Sequence, residues 1–388
     1  MKILHTGDWH IGKLVHGVHM TEDQRHVLKQ LVELIKKEKP DVLIIAGDVY
    51  DRSVPPIEAV DLLDEVLTEI VMTLGVNVFV IAGNHDSPDR VGFASRMLRD
   101  KGLYISGNIS KEINPITVED AHGPVNFYLI PYAEPAIVRE VYGDDTIRSH
   151  DLAMKAITAS VVETLPTKER NICVAHAFLM GTESIETSDS VRPLSIGGTE
   201  YVDAAYFDAF NYTALGHLHR PQKVLNERIR YAGSLLKYSF SEATQNKSVA
   251  MINLDVSGET SVVLHQLSPV RDMRVLKGKL ENLVDVGVYG DTNTDDYIMA
   301  VLTDEGELID PITTLRAVYP NVMRVEKETY DRIAGDNQTS ASENFKQKNP
   351  LELFNEFYEN ISGEVFDEEK VGIVGKVVDG LVQKGRVS

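Results

Sequence analysis

The sequence contains a single cysteine, Cys173. One thiol cannot pair within the chain, so a disulfide framework is excluded and a reducing compartment is expected. Long hydrophobic runs are also missing. No stretch approaches the roughly 18 apolar residues of a membrane span, and the start of the chain has no extended apolar segment of the secretory kind. A cytoplasmic protein is expected. Positive charge is scarce as well: 39 Lys and Arg stand against 59 Asp and Glu, a formal net charge of -20. A chain that binds nucleic acid through phosphate contacts alone should be basic. If nucleic acid is the substrate here, bound cations or a partner must supply part of the positive field. Internal repeats are absent.

What is present is an ordinary globular composition, 43% hydrophobic and 25% charged over 388 residues, enough for two or three domains. Short apolar runs alternate with helical patterns in the first two-thirds. Residues 2–6, 41–47, 76–83, 170–176 and 211–217 read as strands, and 21–39 and 57–73 as helices. Continuous apolar strands between helices point to an α/β domain with its sheet covered on both faces. Segments 124–132, RIRYAGS and KSVAMINLD read as antiparallel, so a mixed sheet or two packed sheets is expected. Near 270 the pattern changes to three strands (RVLKGKL, DDYIMAVLTD, VMRVEKE) with short helices between them, a small α+β unit. The expected divisions are 1–268, 269–333, a polar linker over 334–349, and a helical tail over 350–388 that begins PLELFNEFYENI.

The stretch HTGDWHIGKL has Gly7, Gly12 and Lys13 at the spacing of a phosphate-binding P-loop. That reading fails. The following residue is Leu14 rather than the hydroxyl that such a loop places on magnesium, and Asp8 would put negative charge where phosphates must sit. Asp8-x-His10 after a strand has another use. Residues two apart in an extended segment face the same side, so a carboxylate and an imidazole can meet one metal ion.

The same pattern recurs. The second strand ends in Gly47-Asp48 followed by Asp51, the third in Gly83-Asn84-His85-Asp86, the fourth at His176, the fifth in Gly216-His217-Leu218-His219. Taken singly, each has a bland explanation: a satisfied polar histidine, a Gly-Asp turn, an asparagine in a left-handed turn. Five such coincidences at the carboxyl ends of strands, where α/β sheets build their sites, are improbable. The oxygen and imidazole donors, without thiolate, suit Mn²⁺, Fe²⁺ or Zn²⁺. Their number suits two ions with a bridging carboxylate, the usual arrangement for phosphate-ester hydrolysis. His5, His16, His19, His26, His122, His150 and His265 lack this placement and read as structural or surface residues, with a reservation for His16 and His19 in the loop beside the site.

These motifs, in this order, resemble the calcineurin-like metallophosphoesterases. The longer strings AGDVYDRSVPP, IAGNHDSPDR, RPLSIGGTEYVDAAYFDAFNYTALGHLHRPQ and YAGSLLKYSFSEA resemble the SbcD branch, the nuclease subunits of bacterial SbcC–SbcD double-strand-break repair complexes. The resemblance implies a four-layer α/β fold, two packed mixed sheets flanked by helices, with a small α+β capping domain that binds DNA and a C-terminal helical tail that binds SbcC. It implies one metal held by Asp8, His10, Asp48 and His219 and a second by Asp48, Asn84, His176 and His217, with Asp48 bridging. His85 would face the scissile phosphate, Asp86 would orient its ring, and Asp51 would support the site from outside. The implied cofactor is two Mn²⁺, with Mg²⁺ as the alternative. The implied activity is 3′ to 5′ exonuclease action on double-stranded DNA and endonuclease action on single strands and hairpins. The implied partners are DNA, an SbcC-type ATPase in a heterotetramer and a second copy of the chain, in a nucleoid-associated setting. Two rival readings remain: a phosphatase or diesterase for a small molecule, and a scaffold whose metals only stabilise the fold. The α+β unit and the tail speak against the first, and the intact His85 against the second.

Overall fold

The computed structural model describes residues 1–180, 185–192, 194, 201–328 and a few positions between 354 and 375. The expected linker over 334–349 and nearly all of the expected tail over 350–388 lie outside the described residues. Residues 1–328 form one compact unit and 329–388 a second. Among the described residues no helix is long and apolar enough to cross a membrane.

The chain opens with β1 (Lys2–Thr6), α1 (Thr21–Glu38), β2 (Val42–Ile45), α2 (Ile57–Thr68), β3 (Asn77–Ile81) and β4 (Leu103–Ser106). The four strands pair in parallel in that order. Helix α1 begins with Glu22 and Asp23 and ends with Lys36 and Lys37, charges that complement its dipole. It stops where Lys39 turns left-handed before Pro40. The chain then builds β5 (Ile116–Asp120), β6 (Gly123–Ile130), α3 (Pro135–Tyr142), α4 (His150–Val162), β7 (Arg170–His176), β8 (Tyr212–Gly216), β9 (Gln222–Val224) and β10 (Asn226–Tyr231). These strands form a second six-stranded sheet in the order β9-β10-β8-β7-β6-β5, antiparallel only at its two edge pairs. Then β11 (Ser248–Leu254) and β12 (Thr260–Gln266) return to the first sheet, whose order is β12-β11-β1-β2-β3-β4.

The sheets pack face to face. Alternation along β1, β2 and β3 sends Ile3, Val42, Ile44, Phe79 and Ile81 into an inter-sheet core with Phe127, Ile172, Val174 and Tyr212. The alternate residues Leu4, Leu43, Ile45, Val78 and Val80 pack under α1 and α2. The far face of the second sheet is covered by α3 and α4. The result is four layers, helix–sheet–sheet–helix. Segments 124–132 and RIRYAGS, expected to be antiparallel, each pair in parallel on one side, because β6 joins β7 and β10 joins β8 through crossovers. KSVAMINLD is antiparallel to both neighbours, as expected.

Beyond residue 270, β13 (Met273–Gly278), β14 (Tyr297–Leu302), α5 (Pro311–Arg316) and β15 (Val322–Lys327) make a small three-stranded parallel unit with its own core around Ile298, Leu315 and Tyr319. A buried carboxylate fastens it to α1. Asp23 accepts hydrogen bonds from Arg271 at 3.1 and 2.6 Å and from the Tyr297 hydroxyl at 2.8 Å, and the guanidinium lies over the Tyr297 ring. Asp23→Ala would leave Arg271 and Tyr297 without their acceptor and cost about 3 kcal/mol. Urea denaturation and limited proteolysis near residues 268–272 check this; an unchanged midpoint and unchanged cleavage would refute the clamp.

Candidate active site

The carboxyl ends of β1, β2 and β3 in one sheet and of β7 and β8 in the other meet at one cluster of side chains. The exits of β1 and β2 are laced together by the Asp8 N–H to Gly47 carbonyl, His10 N–H to Asp48 carbonyl and Ile11 N–H to Val49 carbonyl bonds, at 2.9–3.0 Å. Gln24 of α1 pins the first loop from behind: its side chain donates to the His10 carbonyl at 2.7 Å and accepts from Gly12 N–H at 3.0 Å. Four site residues, Asp8 (φ 52°), His10 (46°), Asp48 (49°) and His217 (111°), hold positive φ, which non-glycine residues seldom adopt. Such strain persists only where surrounding structure enforces it, and it gathers at functional sites.

These turns bring the side chains together. His10 Nε2 lies 3.0 Å from His219 Nε2. One oxygen of Asp48, Oδ2, stands 3.6 Å from both His10 Nε2 and His176 Nε2. Asn84 Oδ1 is 2.9 Å from His176 Nε2 and 3.3 Å from His217 Nδ1. Asp8 Oδ1 accepts from the His217 backbone N–H at 2.8 Å. Asp8, Asp48 and His176 offer donor atoms within 4.8 Å of one another, as do His10, Asp51 and His85. These two groups cut across the two ligand sets implied by the family resemblance, though all the residues named there, Asn84, His217 and His219 included, lie in one cluster.

The donors fit metal ions. The Nδ1–H of His176 donates to the Ala46 carbonyl at 2.9 Å, so its Nε2 lone pair faces the Asn84 and Asp48 oxygens. Acceptors converging on acceptors repel unless a cation lies among them. Asp8 Oδ2, His10 Nδ1 and His217 Nε2 are buried without a hydrogen-bond partner. Electrostatics point the same way. Burial, then the neighbouring Asp48, push the Asp8 carboxyl well above its ordinary range. Burial pushes Asp48 up to about 6 against the opposing pull of His85. Burial lowers His176 to about 4, and burial followed by neighbouring imidazoles holds His10 and His217 well below the usual histidine value. The imidazoles are thus neutral, the form that ligates.

The turn at residues 83–86 departs from the sequence reading. Asp86 was expected to orient the His85 ring. Its carboxylate instead accepts three backbone N–H bonds, from Val49, Tyr50 and Gly83 at 2.9–3.1 Å, tying the β3 exit to the β2 exit. The His85 ring is held by the Asp51 carbonyl, 2.8 Å from Nδ1. The Asp51 side chain meanwhile pairs with Lys13 at 2.7 Å. His16 and His19 stand exposed on the hairpin at 14–19, the His16 ring lying 5.5 Å from that of Phe240. Sequence reasoning missed Gln24, Ser190, Glu242 and Lys247, which line the back of the site. Nothing in their local strings marks them, since each acts across a sequence separation that only the fold closes.

A family model described as calcineurin-like phosphoesterase matches residues 1–221. The chain belongs to that family. A second model, for the SbcD C-terminal domain and described as type 5 capsule protein repressor C-terminal domain, matches residues 269–361. Together they make this calcineurin-like phosphoesterase a metal-dependent phosphodiesterase of the SbcD nuclease type. Similar solved structures include phosphopantetheinyl hydrolase from Mycobacterium tuberculosis, 15% identical, covering 69% of this chain and 95% of that one at a TM-score of 0.35. A dimetal phosphatase from Danio rerio is 12% identical and covers 68% of this chain and 98% of that one at 0.40. The GAP50 anchor of the Plasmodium inner membrane complex is 12% identical, covering 70% and 90% at 0.38.

The exits of β2, β3 and β8, at Gly47, Gly83 and Gly216, tolerate no added bulk. A Cβ on Gly216 would lie 1.8 Å from the Ala46 carbonyl oxygen and 2.9 Å from His176 Nδ1. Gly216→Ala is expected to cost about 3 kcal/mol or more and to lower metal content. Gly17→Ala, on the open hairpin where only the positive φ is at stake, should cost about 1–2 kcal/mol and leave metal content unchanged. Denaturation midpoints and metal analysis of both variants check the contrast.

Proposed function

We propose that this phosphoesterase is a Mn²⁺-dependent DNA nuclease, a 3′ to 5′ exonuclease on double strands and an endonuclease on single strands and hairpins, working with an SbcC-type ATPase in break repair and recombination. The observation that carries the two-metal reading is the position of Asp48 Oδ2, equidistant from the imidazoles of His10 and His176. In this reading Asp8, His10, Asp48 and His219 hold one ion, Asp48, Asn84, His176 and His217 the other. When bound, the ions polarise the phosphate and lower the pKa of the attacking water.

The chain's own groups do the rest. A backbone carbonyl only accepts, so the Asp51 bond requires the hydrogen of His85 on Nδ1. Nε2 is then the atom left to face the phosphate, and it is from the doubly protonated ring that Nε2 would give a proton to the leaving oxygen or hydrogen-bond the transition state. Asp86 positions that turn by fixing it to residues 49 and 50. Lys13, paired with Asp51, keeps positive charge beside His10. The match over residues 269–361 supports a DNA substrate, since a small ester needs no such unit. It also supports an SbcC-type partner, with the tail from 350 onward as the docking segment. The acidic chain fits a division of labour in which the metals and the partner supply positive charge. A homodimer is supported by an open groove at α2 lined by Val60, Met72 and Phe93, the last of which is 80% exposed.

The deciding assay is cleavage of linear and hairpin DNA with Mn²⁺, Mg²⁺ or EDTA, beside a generic diester. Mn²⁺-dependent DNA cleavage is expected; activity on the diester alone would favour the small-molecule reading. His85→Ala should keep both metals and lose about 10²–10⁴-fold in rate; a lost metal or a full rate would overturn its role. Asp48→Asn should lose more metal than His10→Ala, because a bridging carboxylate offsets two cations; equal occupancy would remove the bridge. Phe93→Glu should convert the dimer to monomer in light scattering, and an unchanged mass would exclude this face.

A further inference from the structure

Behind His219 lies a buried charged network with no part in the reaction described above. Glu242 is completely buried, and its Oε1 is 3.4 Å from His219 Nδ1. The Ser190 hydroxyl sits between them, 2.6 Å from His219 Nδ1 and hydrogen-bonded to Glu242 Oε1. The other carboxylate oxygen takes the Lys247 ammonium at 2.6 Å, and the three Lys247 N–H groups are shared between it and the His219 carbonyl at 2.7 Å, Ser234 Oγ at 3.0 Å and Gln245 Oε1 at 2.9 Å. A buried ion pair is weak evidence for stability, because desolvation offsets most of its attraction. Its placement against the outer edge of one histidine of the cluster calls for another role.

We propose that Glu242, acting through Ser190, is a positioning group for His219. The direction of the hydrogen bonds is forced at both ends. A carboxylate only accepts, so Ser190 gives its proton to Glu242 and its oxygen receives the Nδ1–H of His219. That fixes the tautomer with the Nε2 lone pair turned into the cluster, toward His10. The carboxylate also draws on the Nδ1 proton and makes Nε2 a stronger donor, as outer carboxylates do for ligating histidines. Lys247 keeps Glu242 ionised in its dry setting and, through the His219 carbonyl, pins the backbone of the same residue. Of the three cluster imidazoles with an outer-edge hydrogen bond, His176 and His85 use backbone carbonyls. His219 alone among them leans on a side-chain carboxylate, so its donor strength is set by residues that substitution can change.

The inference rests on the reading of His219 as a metal ligand, and the experiment separates the two. Mn²⁺ binding to the full chain is measured by titration calorimetry for the native protein and for Ser190→Ala, Ser190→Thr, Glu242→Gln and His219→Ala. Ser190→Ala and Glu242→Gln should each weaken one of two Mn²⁺ sites by about 10–100-fold and leave the other unchanged. Ser190→Thr, which keeps the hydroxyl, should restore native affinity. His219→Ala should lose the same site outright. If His219→Ala binds both ions normally, the ligand reading fails and the inference with it. If His219→Ala loses a site while Ser190→Ala binds both ions with native affinity, the ligand reading stands and the positioning role is overturned. Glu242→Gln leaves Lys247 without its counter-charge, so Ser190→Ala, which keeps the Glu242–Lys247 ion pair, decides the matter should Glu242→Gln fail to fold.

Discussion

The structure turns on a shortage of positive charge in one buried cluster of side chains. Asp8 and Asp48 are enclosed with four buried imidazoles, and burial pushes both carboxyls toward protonation while it keeps the imidazoles neutral. The protein places two lysines close enough to help, and each is already committed: Lys13 to Asp51, Lys247 to Glu242. Folding therefore brings acceptor atoms together without a matching donor. Divalent cations are the chemistry that relieves this arrangement, and they are what the family employs.

Much of the surrounding fold keeps that unfavourable cluster in place. Left-handed backbone at Asp8, His10, Asp48 and His217 would relax if the strand exits were free. They are held by lateral hydrogen bonds between the exits of β1 and β2, by Gln24 from α1 and by the Asp86 carboxylate. Beneath the site, buried His5 bridges the sheets through the Tyr212 hydroxyl at 3.0 Å and the Leu215 carbonyl at 3.2 Å. The glycines at the exits of β2, β3 and β8 serve close approach. Any Cβ at Gly216 would separate β8 from the first sheet and draw His217 and His219 away from the Asp8 and Asp48 side.

Helix α1 has two duties on adjacent residues. Asp23 anchors the three-stranded unit, and Gln24 holds the loop that carries His10. The unit that in the proposed function receives DNA is thereby seated on the same rigid element that supports the metal loop. Precise positioning of catalytic groups is more readily achieved on such elements than on loops.

The cluster residues were readable from the sequence because their signals are local. Continuous apolar runs define β1, β2, β3, β7 and β8, and each ends on a chemically distinctive side chain, from Asp8 to His219. The three strands after 270 were legible for the same reason, in local hydrophobic pattern, but their parallel pairing was not. Strand neighbours were less so. Segments 124–132 and RIRYAGS read as antiparallel, yet both join a parallel partner, because pairing is set by crossovers rather than by the strand's own residues. Only the tertiary structure decided what lies behind the cluster. It gave the His85 ring to the Asp51 carbonyl and turned Asp86 to backbone N–H groups. It also brought Ser190 and Glu242 to His219 and Asp23 to Arg271, which is 248 residues away. A buried hydrogen bond goes to whichever partner packing delivers at the right distance, and no local pattern records that choice.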